Sequence, residues 1–338
     1  MKTVFIIGAG ANVEIGMPSG EELKKEIGEH LDFSQIAKGG VSGNPIIYRA
    51  MEKALGRKNE QIFKLASTIK EAMLHSISID NFIDAHRHEA EIALCAKLAI
   101  VASILYAEKQ SHIYNYVIYN KQEELSKTWY PLFFQKISEG CDINEFTKRL
   151  KDISFIIFNY DRCFEYYMLY AIQAYYKVSA RATSIVEQMN IIHPYGRIGD
   201  FKKLPLGESL KPSELLGYCQ NISTFTEHSE KTKEERTATN NFIEYANRII
   251  FLGFAYHQIN LDLLFTNTDY EGSLADPAPL IGHLDCYGTG YDIHKDERKY
   301  IQKLLKGMYP RIEHCYISNA SCTQFFKDFW HRLSFRWE

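Results

Sequence analysis

Thr3-Val4-Phe5-Ile6-Ile7-Gly8-Ala9-Gly10-Ala11-Asn12 is the stretch on which the fold turns. Its first five residues are rich in β-branched and aromatic side chains, which suits a strand buried on both faces. Gly8 and Gly10 then permit a tight turn and let the backbone approach a neighbour or ligand closely. Past the turn, Pro18 and Ser19-Gly20-Glu21-Glu22 mark a helix start. Ser19 and Glu22 have capping-box spacing, and both glutamates suit the positive end of a helix. With Lys2 before it and Ala9-Gly10-Ala11 after it, the run Val4–Ile7 loosely imitates a secretory signal. Its four apolar residues fall short of the ~7 such a signal requires, so the segment reads as structure.

Outward from this unit, 31–151 is mainly helical, interrupted by a linker-like loop at Gly39-Gly40-Val41-Ser42-Gly43-Asn44-Pro45. Asn81–Gln110 reads as one long helical segment whose apolar second half predicts burial between other helices. Short apolar runs return at Ile153–Phe158, Met189–Ile192, Ile249–Leu252 and Arg311–Ile317. Strands alternating with helices predict an α/β fold, a doubly wound parallel sheet with crossovers. Phe225–Thr239 is a mixed-charge stretch, read as a solvated loop or exposed helix. The expected organisation is a discontinuous core, 1–32 and 151–338, with a large helical insertion, 33–150, after the first βα unit.

The chain has 338 residues, 46% hydrophobic and 24% charged, which excludes a disordered chain, a collagen-like repeat and a disulfide miniprotein. Lys plus Arg is 39 against 42 for Asp plus Glu, a net charge of −3. Such a balance lacks the electrostatic footprint of a nucleic-acid or anionic-membrane binder, and it points to a small-molecule or protein partner. Seven scattered cysteines, none spaced C-x-x-C, argue against a disulfide framework or structural zinc and fit a reducing cytosol. The longest apolar stretch, Ile92–Tyr106, is 15 residues interrupted by Lys97, short of the ~20 a membrane span needs.

Three strand ends carry candidate chemistry. Phe158-Asn159-Tyr160-Asp161 closes one apolar run, where open α/β sheets bind ligands; an Asn-Asp helix cap reads equally well. His193-Pro194-Tyr195-Gly196 closes another, and a histidine there suits a general base. Ile250-Phe251-Leu252-Gly253-Phe254-Ala255 ends a third in glycine. The Gly8–Asn12 turn and the helix beyond it suit a pyrophosphate, although Val13 stands where G-x-G-x-x-G has its last glycine. His86 and His88 lie two apart on a helix and face apart, against a shared metal. Tyr287-Gly288-Thr289-Gly290-Tyr291 could flank a nucleotide but reads more readily as a simple turn. Glu26 and Glu29 have roughly the spacing of a ribose-binding acid, ~20 residues on, and read equally as solvated helix residues.

Together these residues resemble the sirtuin-like NAD-binding superfamily, most of all its divergent bacterial branch of antiphage-defence NAD hydrolases. The matching pieces run in family order: the G-A-G turn with Gly16-x-Pro18, Asp80-Asn81-Phe82, Asn159-Tyr160-Asp161, His193 near Tyr195-Gly196, and Gly253-Phe254. Asn12 stands where the family usually has serine, Ala255 replaces another serine, and Tyr195 rather than a histidine precedes Gly196. The paired C-x-x-C zinc module of deacetylases and their Asp-Phe-Arg are missing.

The resemblance implies a Rossmann-like NAD-binding core and cleavage of NAD to ADP-ribose and nicotinamide, NAD being substrate and no metal being used. It implies NAD contacts from Gly8, Ala9, Gly10, Asn12, Pro18, Tyr195, Gly253 and Phe254. Asn159 would position ribose or water, Asp161 would hold the nicotinamide amide, and His193 would accept a proton. It further implies a cytoplasmic homo-oligomer, regulated by self-assembly or by a neighbouring ATPase. The alternatives are a non-catalytic NAD or ADP-ribose sensor, and a protein deacetylase or ADP-ribosyltransferase.

Overall fold

The computed structural model describes residues 1–34, 42–56, 59–223, 233–265 and 282–335. Among the described residues six strands form one sheet: β1 (Thr3–Ile7), β2 (Ile153–Ile157), β3 (Asn190–Ile192), β4 (Arg248–Leu252), β5 (Leu284–Thr289) and β6 (Ile312–Ser318). All neighbours are parallel, in the order β3-β2-β1-β4-β5-β6. The strand order reverses at β1, so the fold is α/β, doubly wound and Rossmann-like, with its topological switch point between β1 and β4.

Before β2 the chain forms α1 (Ala9–Asn12), α2 (Gly20–His30), α3 (Pro45–Leu55), α4 (Asn59–Met73), α5 (Ile79–Ala85), α6 (Ala90–Gln110), α7 (His112–Tyr119), α8 (Trp129–Ser138) and α9 (Ile143–Leu150). Between β2 and β3 lie α10 (Cys163–Tyr176) and α11 (Ser179–Glu187), and between β3 and β4 lie α12 (Pro212–Tyr218) and α13 (Lys233–Glu244). After β4 come α14 (Gln258–Phe265), α15 (Lys295–Met308) and α16 (Cys322–Asp328).

Every residue of β1 and β4 is buried, as unbroken apolar runs between two helical layers demand. Ser19 and Glu22 form the full capping box: Glu22 N–H donates to Ser19 Oγ at 3.2 Å, and Ser19 N–H to Glu22 Oε2 at 2.8 Å. The long segment expected over Asn81–Gln110 is two helices. Ser78 caps α5 through Asn81 N–H at 3.1 Å, and the chain turns at 86–89 before α6. α6 is long and apolar enough to cross a membrane by length and composition, and most of it is buried inside the protein.

β5 is a correction to the reading of Tyr287–Tyr291 as a turn. Leu284-Asp285-Cys286-Tyr287-Gly288-Thr289 has neither an apolar run nor clean alternation, so periodicity misses it. Gly288 fits because a Cβ there would overlap Tyr256 Oη and lie 2.9 Å from Ile317 Cδ1 on β6. The loop at Gly39–Pro45 falls in part, and the stretch Phe225–Thr239 over 225–232, outside the described residues; 233–244 is helical.

The expected boundary at 150 does not coincide with a break in packing. Phe133 on α8 stands edge-on to Phe5 and Phe155, ring centroids 5.3 and 5.8 Å away, so α8 covers β1 and β2 directly. One contiguous apolar core runs from the sheet into α3, α4 and α6. A buried ion pair ties the two regions further: Arg162 Nη2 lies 2.6 Å from Glu108 Oε2 on α6, both side chains fully enclosed.

Candidate active site

The register aligns the carboxyl ends of the central strands. Ile7 pairs with Ile157 on one side and Leu252 on the other, so Gly8, Phe158 and Gly253 emerge at one level. The glycines are used at once against each other. Gly8 N–H donates to Leu252 O at 2.9 Å, Gly10 N–H to Gly253 O at 3.0 Å, and Ala11 N–H to Gly8 O at 3.0 Å. A Cβ on Gly8 would sit 2.6 Å from Gly253 O, and one on Gly10 2.8 Å from it. Gly253 has φ +54°, and a side chain there would overlap Ala11 N. These turns therefore hold the switch point together backbone to backbone. The N–H groups of Gly8, Gly10 and Ala11 donate within the protein rather than standing open as the anion cradle expected of this turn.

Asn12 and Asp161 face inward as a pair. Asn12 Nδ2 lies 3.0 Å from both carboxylate oxygens of Asp161, and Asn12 Oδ1 accepts from Tyr130 Oη at 2.8 Å. Asp161 also accepts from Cys163 N–H at 3.0 Å, which starts α10. The capping role left open by the sequence is thus the one this carboxylate performs. Burial pushes its pKa up to about 6, against the pull of its hydrogen bonds. Asp161 Oδ1 is thus engaged twice, by Asn12 and Cys163, and Oδ2 once, by Asn12.

Asn159 is the opposite case. It is 6% exposed, yet among the described residues neither its Nδ2 nor its Oδ1 has a hydrogen-bond partner. Burying a polar amide without partners costs about 1–3 kcal/mol, and such groups in native folds call for a bound partner. Its backbone carbonyl, by contrast, is held by His193 Nδ1 at 2.9 Å.

The other ring nitrogen, His193 Nε2, lies 3.1 Å from Glu165 Oε1, and Arg197 Nη1 reaches the same oxygen at 2.6 Å. The Glu165 side chain is 1% exposed. Burial works to raise its pKa, but the His193 and Arg197 charges outweigh it and hold the carboxylate at about 2. Both contacts of the His193 ring are to oxygens that offer only lone pairs, so both are hydrogen bonds only when both ring nitrogens carry hydrogen. Both ring nitrogens thus face protein oxygens in this arrangement. Glu165 and Arg197 escaped the sequence reading. Their signal is faint: an acid in the first turn after Asn159-Tyr160-Asp161 and a cation four residues past His193.

Around this group the walls are aromatic. Tyr195 is buried, donates from Oη to Asn260 Oδ1 at 2.5 Å and stands edge-on to Phe158 at 5.7 Å. Phe254 packs on Phe158 at 5.2 Å. Tyr160 Oη donates to Asp80 on α5, carrying the inserted region to the end of β2. Burial pushes the Asp80 pKa up to about 6. The structure thus brings Gly8, Gly10, Asn12, Asn159, Asp161, His193, Tyr195, Gly253 and Phe254 to one end of the sheet. Ala9 is half-buried on the turn, and Pro18 is half-buried just before the N-cap Ser19.

A separate groove of about 390 Å³ lies between α2 and α4, lined by Glu21, Lys25, Glu29, Asp32 and Lys70 among others, and holds none of the expected site residues except Glu29. Among the described residues no group of three or more His, Cys, Asp or Glu side chains is placed to hold a metal ion. No protein-family model matches the chain and no curated protein matches it. The functional reading therefore rests on the residues themselves.

Proposed function

We propose that the protein is a sirtuin-like NAD glycohydrolase, cleaving NAD at the carboxyl ends of β1–β4. The observation that carries this reading is the Asn159 carboxamide, nine-tenths buried and unpartnered at the end of β2 beside the switch point. It offers a donor and an acceptor together, which suits a ribose hydroxyl or a water to be aligned. In the reaction, water adds to the ribose C1′ as the C1′–N bond breaks. The bonding pair goes to the pyridinium nitrogen, nicotinamide leaves neutral, and a proton is released to solvent.

Because the leaving group departs uncharged, no acid is required. Alignment of water on an oxocarbenium-like ribose then supplies most of the gain. Phe158, Tyr195 and Phe254 provide apolar walls for the planar rings of such a substrate. In this reading the glycine turns lock the switch point together, and Asp161 with Asn12 fixes the turn beneath the substrate. A role in antiphage defence, with an oligomer or a neighbouring ATPase as regulator, goes with the family resemblance and is proposed with it.

The engagement of both His193 ring nitrogens favours a second reading, a module that binds NAD or ADP-ribose without consuming it. Incubation of purified protein with NAD, with ADP-ribose and nicotinamide resolved by chromatography, separates the two. Turnover that disappears in Asn159→Ala supports the hydrolase. Binding without turnover, alone and with the ATPase added, supports the sensor.

A further inference from the structure

Three side chains form a line from the surface to the Asn159 backbone: Arg197 to Glu165, Glu165 to His193, His193 to the Asn159 carbonyl. With Asn159 they come from three places in the fold. Asn159 ends β2, Glu165 sits in the first turn of α10, and His193 with Arg197 follows β3. We infer that Glu165 is a positioning residue that acts through His193: it fixes the ring whose Nδ1–H holds the Asn159 carbonyl, and so aims the Asn159 carboxamide. The inference rests on the NAD-cleavage reading for its consequence in rate, though not for its geometry.

The alternative is that Glu165 serves only to neutralise Arg197. Exposure argues against that. The Arg197 side chain is 33% exposed and has water at hand, whereas Glu165 is 1% and His193 6% exposed. Enclosing a carboxylate costs several kcal/mol unless its partners compensate, and a surface arginine alone gives no reason to bring it in. The buried partner that needs Glu165 is the histidine. Rotating that ring by half a turn would break both of its hydrogen bonds, so the pair permits one orientation and carries it to Asn159 through a single contact.

The test pairs kinetics with a spectroscopic signature, using the full chain. Wild type, Glu165→Gln, Glu165→Ala and His193→Gln are labelled with ¹⁵N-histidine where a histidine remains, and ring N–H signals are recorded at neutral pH. NAD turnover is measured on the same samples. A protected His193 ring N–H signal, absent in His193→Gln, is expected in the wild type, and it should shift in Glu165→Gln and be lost in Glu165→Ala. The same variant should lose about 10–100-fold in kcat, the effect typical of removing a residue that orients a site side chain, with KM little changed. Glu165→Gln keeps an acceptor for Nε2–H and should recover part of that loss.

Ring signals in Glu165→Gln unchanged from the wild type overturn the inference, even if Glu165→Ala fails to fold. Equal kcat in Glu165→Ala and wild type overturns it too, as does a Glu165→Gln no better than Glu165→Ala. A wild type without NAD turnover, alone and with the ATPase added, overturns the cleavage reading instead, and the ring signals then still decide whether Glu165 holds His193.

Discussion

At the scale of single residues, Asn159 and Gly253 make opposite demands. Asn159 keeps an unsatisfied amide in a buried place, so its removal should relieve the fold while damaging the chemistry. Asn159→Ala is expected to lose about 10²–10³ in NAD turnover, the range for removing one aligned polar group from a transition state, while its urea midpoint is unchanged or higher. Gly253 is structural. With φ +54° and Ala11 N where a Cβ would go, Gly253→Ala adds left-handed strain of at least about 1–2 kcal/mol. A clearly lower urea midpoint is expected, and an unchanged one would mean that the two turns do not press on each other.

At the scale of elements, α2 carries a built-in pH dependence. Glu26 is half-buried, its Oε2 unpartnered among the described residues, and burial first, then Glu22 and Glu29, push its pKa up to about 7. A carboxyl whose pKa is raised on folding supports the fold when protonated. That support is complete below the usual carboxylate range and is lost as the pH climbs through 7. Glu26→Gln should therefore raise the melting temperature near pH 8 and do nothing near pH 4. Solvent screening of a half-exposed group limits the gain to about 1–2 kcal/mol. A gain of the same size at both pH values would rule out ionisation of Glu26 as its source. α8 shows how an element is fixed from outside itself: Trp129 Nε1 donates to Ala11 O at 2.8 Å, and its backbone N–H to Glu14 Oε2 at 3.1 Å. The first turn and a helix more than a hundred residues later are thus one unit.

For the whole molecule, the enclosed pair Arg162–Glu108 joins sheet and inserted helices. Glu108 also accepts from Arg162 N–H at 3.1 Å and from Gly207 N–H at 3.1 Å, and Arg162 Nη2 donates to Pro205 O at 3.2 Å. Arg162→Met leaves that carboxylate buried without its cation. A loss of about 3–5 kcal/mol is expected, read as a shift of the urea transition of the whole chain. A separate early transition confined to the inserted helices would instead mean that the two regions unfold independently.

The sequence by itself determined the strand–glycine–helix opening, the capping box at Ser19 and Glu22, five of the six strands and the end of the sheet where the special residues gather. Those features are local: burial on both faces writes an apolar run, and a cap is a contact three residues long. β5 was illegible because what demands its glycine is Tyr256, after β4, and Ile317 on the next strand, not anything in its own composition. The candidate site divided in the same way. Asn159 and His193 stood out as polar residues at strand ends, but sequence cannot say which polar groups find partners. Tertiary structure decided that, spending Asp161 on Asn12 across 149 residues and His193 on Glu165 across 28, while leaving the Asn159 amide unsatisfied. Hydrogen-bond satisfaction inside a fold depends on which distant segments meet, and only the assembled chain settles that.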